Sequence, residues 1–314
     1  MKRLALAAGL ILAAFASSAH AETTLIVGDQ KGNARAVMEA SGVLKDVPYK
    51  IEWKEFAAAA PLLEALGAGA LDSGLVGDAP FTFAAAANVP VKAIGAIRQT
   101  GDGLAVLVPK DSTIKSFDDL KGKKIATGRG SIGHQLILAA LEQKGWTASD
   151  VQIVFLAPSD AKVAYTRGSV DAWSTWEPYV SQEEVLFQSR VLLNAEGLTS
   201  GLSFVVATPN AIRDKHAELE DYLRRLTAAR AWALNNADAY AQTWGKLMNV
   251  APSVPLNWLT RAKIRIAPID DGVAVDEQKT IDLYLRSGLI KQKLDANAIV
   301  DRSFNDAIGK GAGL

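Results

Sequence analysis

The stretch GSVDAWSTWEPY (residues 168–179) decides how this chain reads, because it repeats the layout of GALDSGLVGDAP (residues 69–80) at an offset of 99 residues. In each, Gly-x-(Leu/Val)-Asp ends a helical pattern and opens a strand, glycine suiting a helix C-cap and aspartate the turn. Ile26 and Ile125 stand at the same offset in the first strand of each half, an expected pair of like positions. Within the quoted stretch, Trp173 and Trp176 are three apart. They belong to the core if they share a helical face, or to a pocket rim if the neighbouring Glu177 and Pro178 mark one.

Outward from these two stretches, strand and helix patterns alternate. TLIVG, YKIEWKEF and SGLVGDAP read as strands, the last running into a loop, with NARAVMEASGVL and PLLEALGAGAL as helices between them. The scheme restarts with GKKIATG, DVQIVFL and SVDAWSTW as strands and SIGHQLILAALEQKGW and SDAKVAYTRG as helices. Such alternation predicts an α/β fold with largely parallel sheets in two lobes. GDAP and WEPY then become counterpart loops at the carboxyl ends of strands, the edge where open α/β sheets bind ligands.

VPVKAIGAIRQTGDGLAVLVPKDS and TSGLSFVVATPNAI are β-like, either as sheet edges or as a two-stranded hinge between lobes. From residue 209 the chain is mostly helical, with LEDYLRRLTAARAWALNNADAYAQTWGKLM as one long helix and DEQKTIDLYLRSGLI as another. The expected division is lobe one at 22–103, an inserted lobe two at 104–204, and a return to lobe one at 205–314.

Residues 1–21 have the form of a cleavable secretory signal: Lys2 and Arg3, an apolar run to Phe15, then Ala19-His20-Ala21. The run is shorter than the roughly 20 residues a membrane-spanning helix needs. Export without a single cysteine leaves the fold to rest on its core, and there is no cysteine at the cleavage site to carry a lipid. A periplasmic protein, diffusing freely as a monomer, is expected. Lys+Arg 34 and Asp+Glu 34 balance, so there is no basic field for nucleic acid or an anionic membrane.

Catalytic resources are few. Beyond the signal only His134 and His216 remain, with no metal-ligand spacing and no thiol nucleophile, so no catalytic residue, metal or cofactor is expected. Ser131 and His134 suggest a Ser–His hydrolase pair, but they lack an acidic orienter and sit on one helix in poor triad geometry. Anion binding is better supplied. ATGRGSIGH follows a strand and opens a helix, so Ser131 reads as its N-cap, with the amides of Ile132 and Gly133 free at the positive end of the helix dipole. GDQKGNA offers a second such turn, with Gln30 as a neutral donor. Arg129 adds charge unless it is merely solvated. Trp173, Trp176, Phe81 and Phe83 are candidates to shelter an organic tail, the two phenylalanines being equally candidates for core. Asp78 and Glu177 are candidates to meet an ammonium or hydroxyl on that tail.

WKEFAAAAPLLEALGAGALDSGLVGDAP, LVPKDSTIKSFDDLKGKKIATGRGSIGHQLILAALEQKGW and FLAPSDAKVAYTRGSVDAWSTWEPY carry a resemblance to the alkanesulfonate, taurine and nitrate family of periplasmic substrate-binding proteins that serve ABC importers. The resemblance implies the two-lobed type II periplasmic binding protein fold, closing by hinge motion on a sulfonate or similar oxyanion. It also implies an ABC transporter permease in the inner membrane as partner. By position it implies a site of Gln30, Gly77, Asp78, Ala79, Ser131, Ile132, His134, Trp173, Trp176 and Glu177. Taurine, nitrate and a pyrimidine thiamine precursor are the alternative ligands. AAAAP and GDAP depart from the family's commoner turns. The cysteine-dependent desulfinase branch of this fold has no nucleophile here.

Overall fold

The computed structural model describes residues 22–312; the signal read at residues 1–21 lies outside the described residues. The first half runs β1 (Thr24–Gln30), α1 (Asn33–Ser41), β2 (Lys50–Phe56), α2 (Ala59–Gly67), β3 (Ser73–Gly77), α3 (Asp78–Ala86) and β4 (Lys92–Arg98). The second runs β5 (Leu104–Val108), β6 (Lys124–Thr127), α4 (Ile132–Gln143), β7 (Gln152–Phe155), α5 (Pro158–Thr166), β8 (Ala172–Trp176), α6 (Tyr179–Phe187) and β9 (Arg190–Asn194). The return comprises β10 (Leu202–Ala207), α7 (Pro209–Asp214), α8 (His216–Ala233), α9 (Ala237–Met248), α10 (Ser253–Ala262), β11 (Arg265–Ala267), α11 (Asp271–Arg286) and α12 (Asn305–Gly311).

Two sheets result, ordered β11-β4-β10-β3-β1-β2 and β7-β6-β8-β5-β9. Each holds a parallel trio, β2-β1-β3 in one and β7-β6-β8 in the other, built from its βαβα run. Antiparallel strands extend both: β10 joins β3 to β4, and β5 joins β8 to β9. The expected boundary at residue 204 therefore falls inside a strand of the first sheet, since β10 pairs with that sheet from Leu202 onward. The chain crosses between sheets at residues 99–103 and 195–201, held together by the Gln99 N–H donating to the Gly201 carbonyl (3.2 Å) and the Ala195 N–H to the Gly101 carbonyl (3.3 Å). At this crossing a Cβ on Gly201 would meet the Gln99 carbonyl oxygen at 2.4 Å, at φ +63°, so only glycine fits.

The repeated aspartates do matching work. Asp72 Oδ2 accepts the Ile26 N–H (2.7 Å) and Asp171 Oδ2 the Lys124 N–H (2.8 Å). The strands, however, are offset by 98, with Val27 opposite Ser73 and Ile125 opposite Ala172. The equivalent of Ile125 is thus Val27, both fully buried, and the pairing with Ile26 is corrected by one residue. In a strand one step exchanges the faces, which is why Ile26 packs on the other side of its sheet.

GDAP is the start of α3 rather than a loop. Phe81 and Phe83, two apart on a helix, consequently point apart: Phe81 packs at a tilt against Phe204 (5.0 Å between centroids) in the core, whereas Phe83 turns to the cleft. The expected long tail helix breaks at Asn235 and Asn236, where the backbone tightens to i→i−3 bonds (Asn235 N–H to the Trp232 carbonyl, 3.2 Å) and the Asn236 side chain also donates to the Trp232 carbonyl (2.8 Å). Clusters on both faces of each sheet form the lobe cores. A fifth cluster spans the lobes, bringing Ala79 of α3, Leu138 of α4 and Ile281 and Tyr284 of α11 together.

Candidate ligand-binding site

Between the sheets lies a cavity of about 630 Å³. Its shape follows from topology. Parallel strands that each feed a helix present all their carboxyl ends, and hence all the helix amino ends, to one edge. The starts of five helices line it: Asn33 of α1, residues 58–61 at α2, Gly77 before α3, residues 130–132 at α4 and residues 157–158 at α5. Each terminus carries amides without intrahelical partners and a partial positive charge. Ala58 caps α2 without a side-chain oxygen, leaving the first-turn amides of Ala59 and Ala60 for solvent or ligand.

Of the residues expected from sequence, Gln30, Gly77, Arg129, Ser131, Ile132, Trp176 and Glu177 line the cavity. Gln30 spends one amide hydrogen on the Leu75 carbonyl (2.7 Å), which fixes its side chain across the floor. The Ser131 hydroxyl donates to the Gly128 carbonyl (2.7 Å) and its oxygen accepts the His134 N–H (3.2 Å), as an N-cap should. Arg129 is exposed, its guanidinium lying 3.8 Å above the Phe155 ring. Trp176 is half-buried, edge-on to Tyr179 at 6.1 Å, with its ring reaching towards Gly128.

Four expected site residues are not at the cavity wall. Trp173 is 2% exposed between Tyr165 and Tyr179, because residues three apart on a strand fall on opposite faces. Ala79 is buried in the cluster between lobes. Asp78 is buried behind the wall, where its carboxylate accepts from Gln135 Nε2 (3.0 Å), the Thr280 hydroxyl (2.8 Å) and the Ala79 N–H (2.7 Å). Burial pushes that carboxyl up against the pull of those donors. His134 is core: its Nδ1 accepts the Gly130 N–H (3.2 Å) and its ring meets Phe155 edge-on. Burial, then the charge of Arg129, holds it down to about 4, a neutral ring that suits an acceptor. With the Ser131 hydroxyl donating to Gly128 and His134 Nδ1 accepting from Gly130, no bond forms between the Ser131 hydroxyl and the His134 ring.

Glu177 lines the cavity yet turns its carboxyl inward, accepting the Ser181 hydroxyl (2.9 Å) and N–H (3.1 Å). Burial pushes it up to about 8, so it is largely uncharged at neutral pH.

The return segment adds residues the sequence did not flag. Arg230 of α8, 1% exposed, donates to the Tyr240 hydroxyl (2.9 Å) and to the Asn33 side chain, bringing a cation to the wall. Its charge helps to balance the buried carboxyl of Asp29, which holds the amides of Gln30, Ala34 and Arg35. In an arginine-rich helical stretch nothing in the sequence distinguished Arg230 from Arg224 or Arg225, which pair with Asp221 away from the cavity. Trp258 of α10, Phe155 of β7 and Ala57 to Ala60 also line the cavity, and the only sequence signal among them was the unusual AAAAP turn. Helix amino ends, Arg129, Lys31 and Arg230 against neutralised Glu177 and exposed Glu64 give the cleft the field of an anion site.

The model of the family described as NMT1/THI5 like matches residues 49–239. An Escherichia coli K12 protein named for binding aliphatic sulfonates is 34% identical over 93% of this chain and 93% of its own length. The alkanesulfonate-binding protein SsuA of Xanthomonas axonopodis pv. citri, solved bound to MOPS, superposes with a TM-score of 0.84 at 29% identity, covering 90% of this chain and 100% of that one. The periplasmic aliphatic sulphonate binding protein SsuA of Escherichia coli gives a TM-score of 0.80 at 32% identity over 90% and 92% of the two chains. With matches of this extent and a shared two-lobed α/β architecture, the chain belongs to the NMT1/THI5-like family, as a homologue of the aliphatic sulfonate-binding proteins.

Proposed function

We propose that this protein captures a sulfonate-bearing organic anion in the cleft between its lobes and delivers it, in the periplasm, to the permease of an ABC importer. The convergence of five helix amino ends on one cavity carries the reading, and the kinship with sulfonate-binding proteins supports it. A sulfonate is a strong acid, ionised throughout the physiological range, so neutral amides and fixed dipoles suffice to hold it. The turn at residues 130–132 and the uncapped start of α2 would receive the head from opposite lobes, and closing the lobes around it would exclude water and strengthen each bond. The residues of this site act by binding rather than by catalysis.

A thermal-shift series with alkanesulfonates, sulfate, nitrate and pyrimidines tests the ligand class. Sulfonates are expected to stabilise by about 2.7 kcal/mol at a hundred times the dissociation constant. A shift with pyrimidines or nitrate and none with any sulfonate would overturn the assignment.

A further inference from the structure

We infer, on the sulfonate reading above, that Tyr284 of α11 is a positioning residue for the anion site, holding the Ser131–Ile132 peptide so that the Ile132 amide is presented to the cleft. The Tyr284 hydroxyl donates to the Ser131 carbonyl (3.1 Å), and the same oxygen accepts the Gln135 N–H (3.0 Å) as the first bond of α4. With both its lone pairs engaged, that carbonyl is held from turning. A trans peptide is planar and its C=O and N–H point opposite ways, so fixing the carbonyl towards α11 directs the Ile132 N–H away from it. Ile132 is the first residue of α4, and its N–H has no intrahelical acceptor. Ser131 and Ile132 line the cavity, whereas no residue of α11 lines it among the described residues. Whatever α11 does for a ligand, it therefore does through α4.

This bond is one of two rungs between the helices. Ser131 and Gln135 stand four apart on α4, counting its N-cap, and Thr280 and Tyr284 four apart on α11, so each pair shares a helix face. In the second rung Gln135 Nε2 donates to the Thr280 hydroxyl (2.9 Å) and to Asp78 (3.0 Å). The α11 helix is itself fastened to the first lobe, where Glu277 accepts the Thr82 hydroxyl (2.5 Å) and Asp276 the Arg98 guanidinium (2.9 Å). The aim of a second-lobe amide is thereby set from the first lobe, which also carries the uncapped start of α2. Tyr284 is fully buried, and that burial, with Asp78 and Glu277 nearby, pushes its hydroxyl well above the ordinary tyrosine range, so it keeps the proton it donates.

Tyr284→Phe removes the hydroxyl alone and leaves the Ser131 carbonyl bonded to Gln135, so no buried group is orphaned and the fold is kept. Thr280→Val opens the other rung and serves as the control. In the free protein, the N–H residual dipolar coupling of Ile132 measured by NMR is expected to change in Tyr284→Phe and to match the parent in Thr280→Val. Calorimetric titration with butanesulfonate should show affinity lowered about fivefold in Tyr284→Phe, part of the worth of a hydrogen bond to a charged group, and kept within about twofold in Thr280→Val even if that variant melts lower. An Ile132 coupling unchanged in Tyr284→Phe, an affinity there within about twofold of the parent, or equal losses in the two variants would overturn the role of Tyr284. If no sulfonate binds the parent protein, the sulfonate reading fails, and the couplings of the free protein still decide whether Tyr284 aims the amide.

Discussion

Trp173 and Trp176 stand three residues apart on β8 and face opposite sides of the sheet, the first sealed between Tyr165 and Tyr179 and the second at the cleft. Their replacements should separate cleanly. Trp173→Ala is expected to cost about 3–5 kcal/mol of stability, as for a large aromatic lost from a packed core. Trp176→Ala should keep most of the free protein's melting temperature and lose the sulfonate-induced change in intrinsic fluorescence. Urea unfolding and fluorescence titration of both variants decide the matter, and normal fluorescence response in Trp176→Ala would take that residue out of the site.

The Asp78 carboxylate ties α3 of the first lobe to Gln135 of the second and Thr280 of α11. Asp78→Asn would set an N–H₂ group against donors, leaving at least one buried partner unsatisfied at about 1–3 kcal/mol. Denaturant midpoints should fall accordingly while the folded fraction binds alkanesulfonates within a fewfold of the parent. A selective loss of binding at unchanged stability would restore Asp78 to the ligand shell.

Glu177 and His134 give stability opposite slopes with pH. Between the ordinary 4.5 and about 8, the folded protein keeps a proton on Glu177 that the unfolded chain has released, so stability falls as pH rises. Between about 4 and 6.5 the unfolded chain protonates His134 and the folded protein does not, so stability rises with pH. The two offset each other from 4.5 to 6.5, and Glu177 is left unopposed from 6.5 to 8, at no more than about 1.4 kcal/mol per pH unit. Glu177→Gln, which keeps a neutral side chain of the same shape, should make the fall in thermal stability over pH 6.5 to 8 shallower, the remainder coming from the raised carboxyls of Glu277 and Glu55. An unchanged slope would mean that the carboxyl ionises in place.

Arg129 is exposed at the cavity wall with its guanidinium over the Phe155 ring, so solvent screens its charge. Arg129→Ala is expected to weaken sulfonate binding by less than about tenfold, an exposed pair being worth up to about 1 kcal/mol. The loss should shrink as salt rises. Abolished binding would mean that the head is held by a salt bridge rather than by amides.

Gly103 sits where the chain crosses between lobes, and a Cβ there would stand 2.7 Å from Trp258 Nε1 and 3.4 Å from Glu177 Cγ. Gly103→Ala should destabilise the protein by about 1–3 kcal/mol through overpacking. Restoration by Trp258→Phe in the same chain, measured by thermal melting, would trace the cost to this contact.

The sequence by itself determined the two α/β lobes, because strand and helix periods and the Gly-x-x-Asp repeat are local patterns that each half must satisfy alone. It also marked the α4 turn, whose Ser131 cap and glycines need only their immediate neighbours. Which tryptophan faces the cleft was decided by tertiary structure: WSTW as a strand sends Trp173 and Trp176 to different faces, and only packing shows which face is the cleft. The same holds for Asp78, His134 and Arg230. Each is a polar group whose role depends on partners 57 residues away for Asp78 and 197 for Arg230, or on a buried ring environment for His134. The register step that pairs Ile125 with Val27, and the break between α8 and α9, arose from hydrogen bonds that periodicity does not encode. Side-chain type states what a residue can do, and burial with its long-range partners decides which of those things it does.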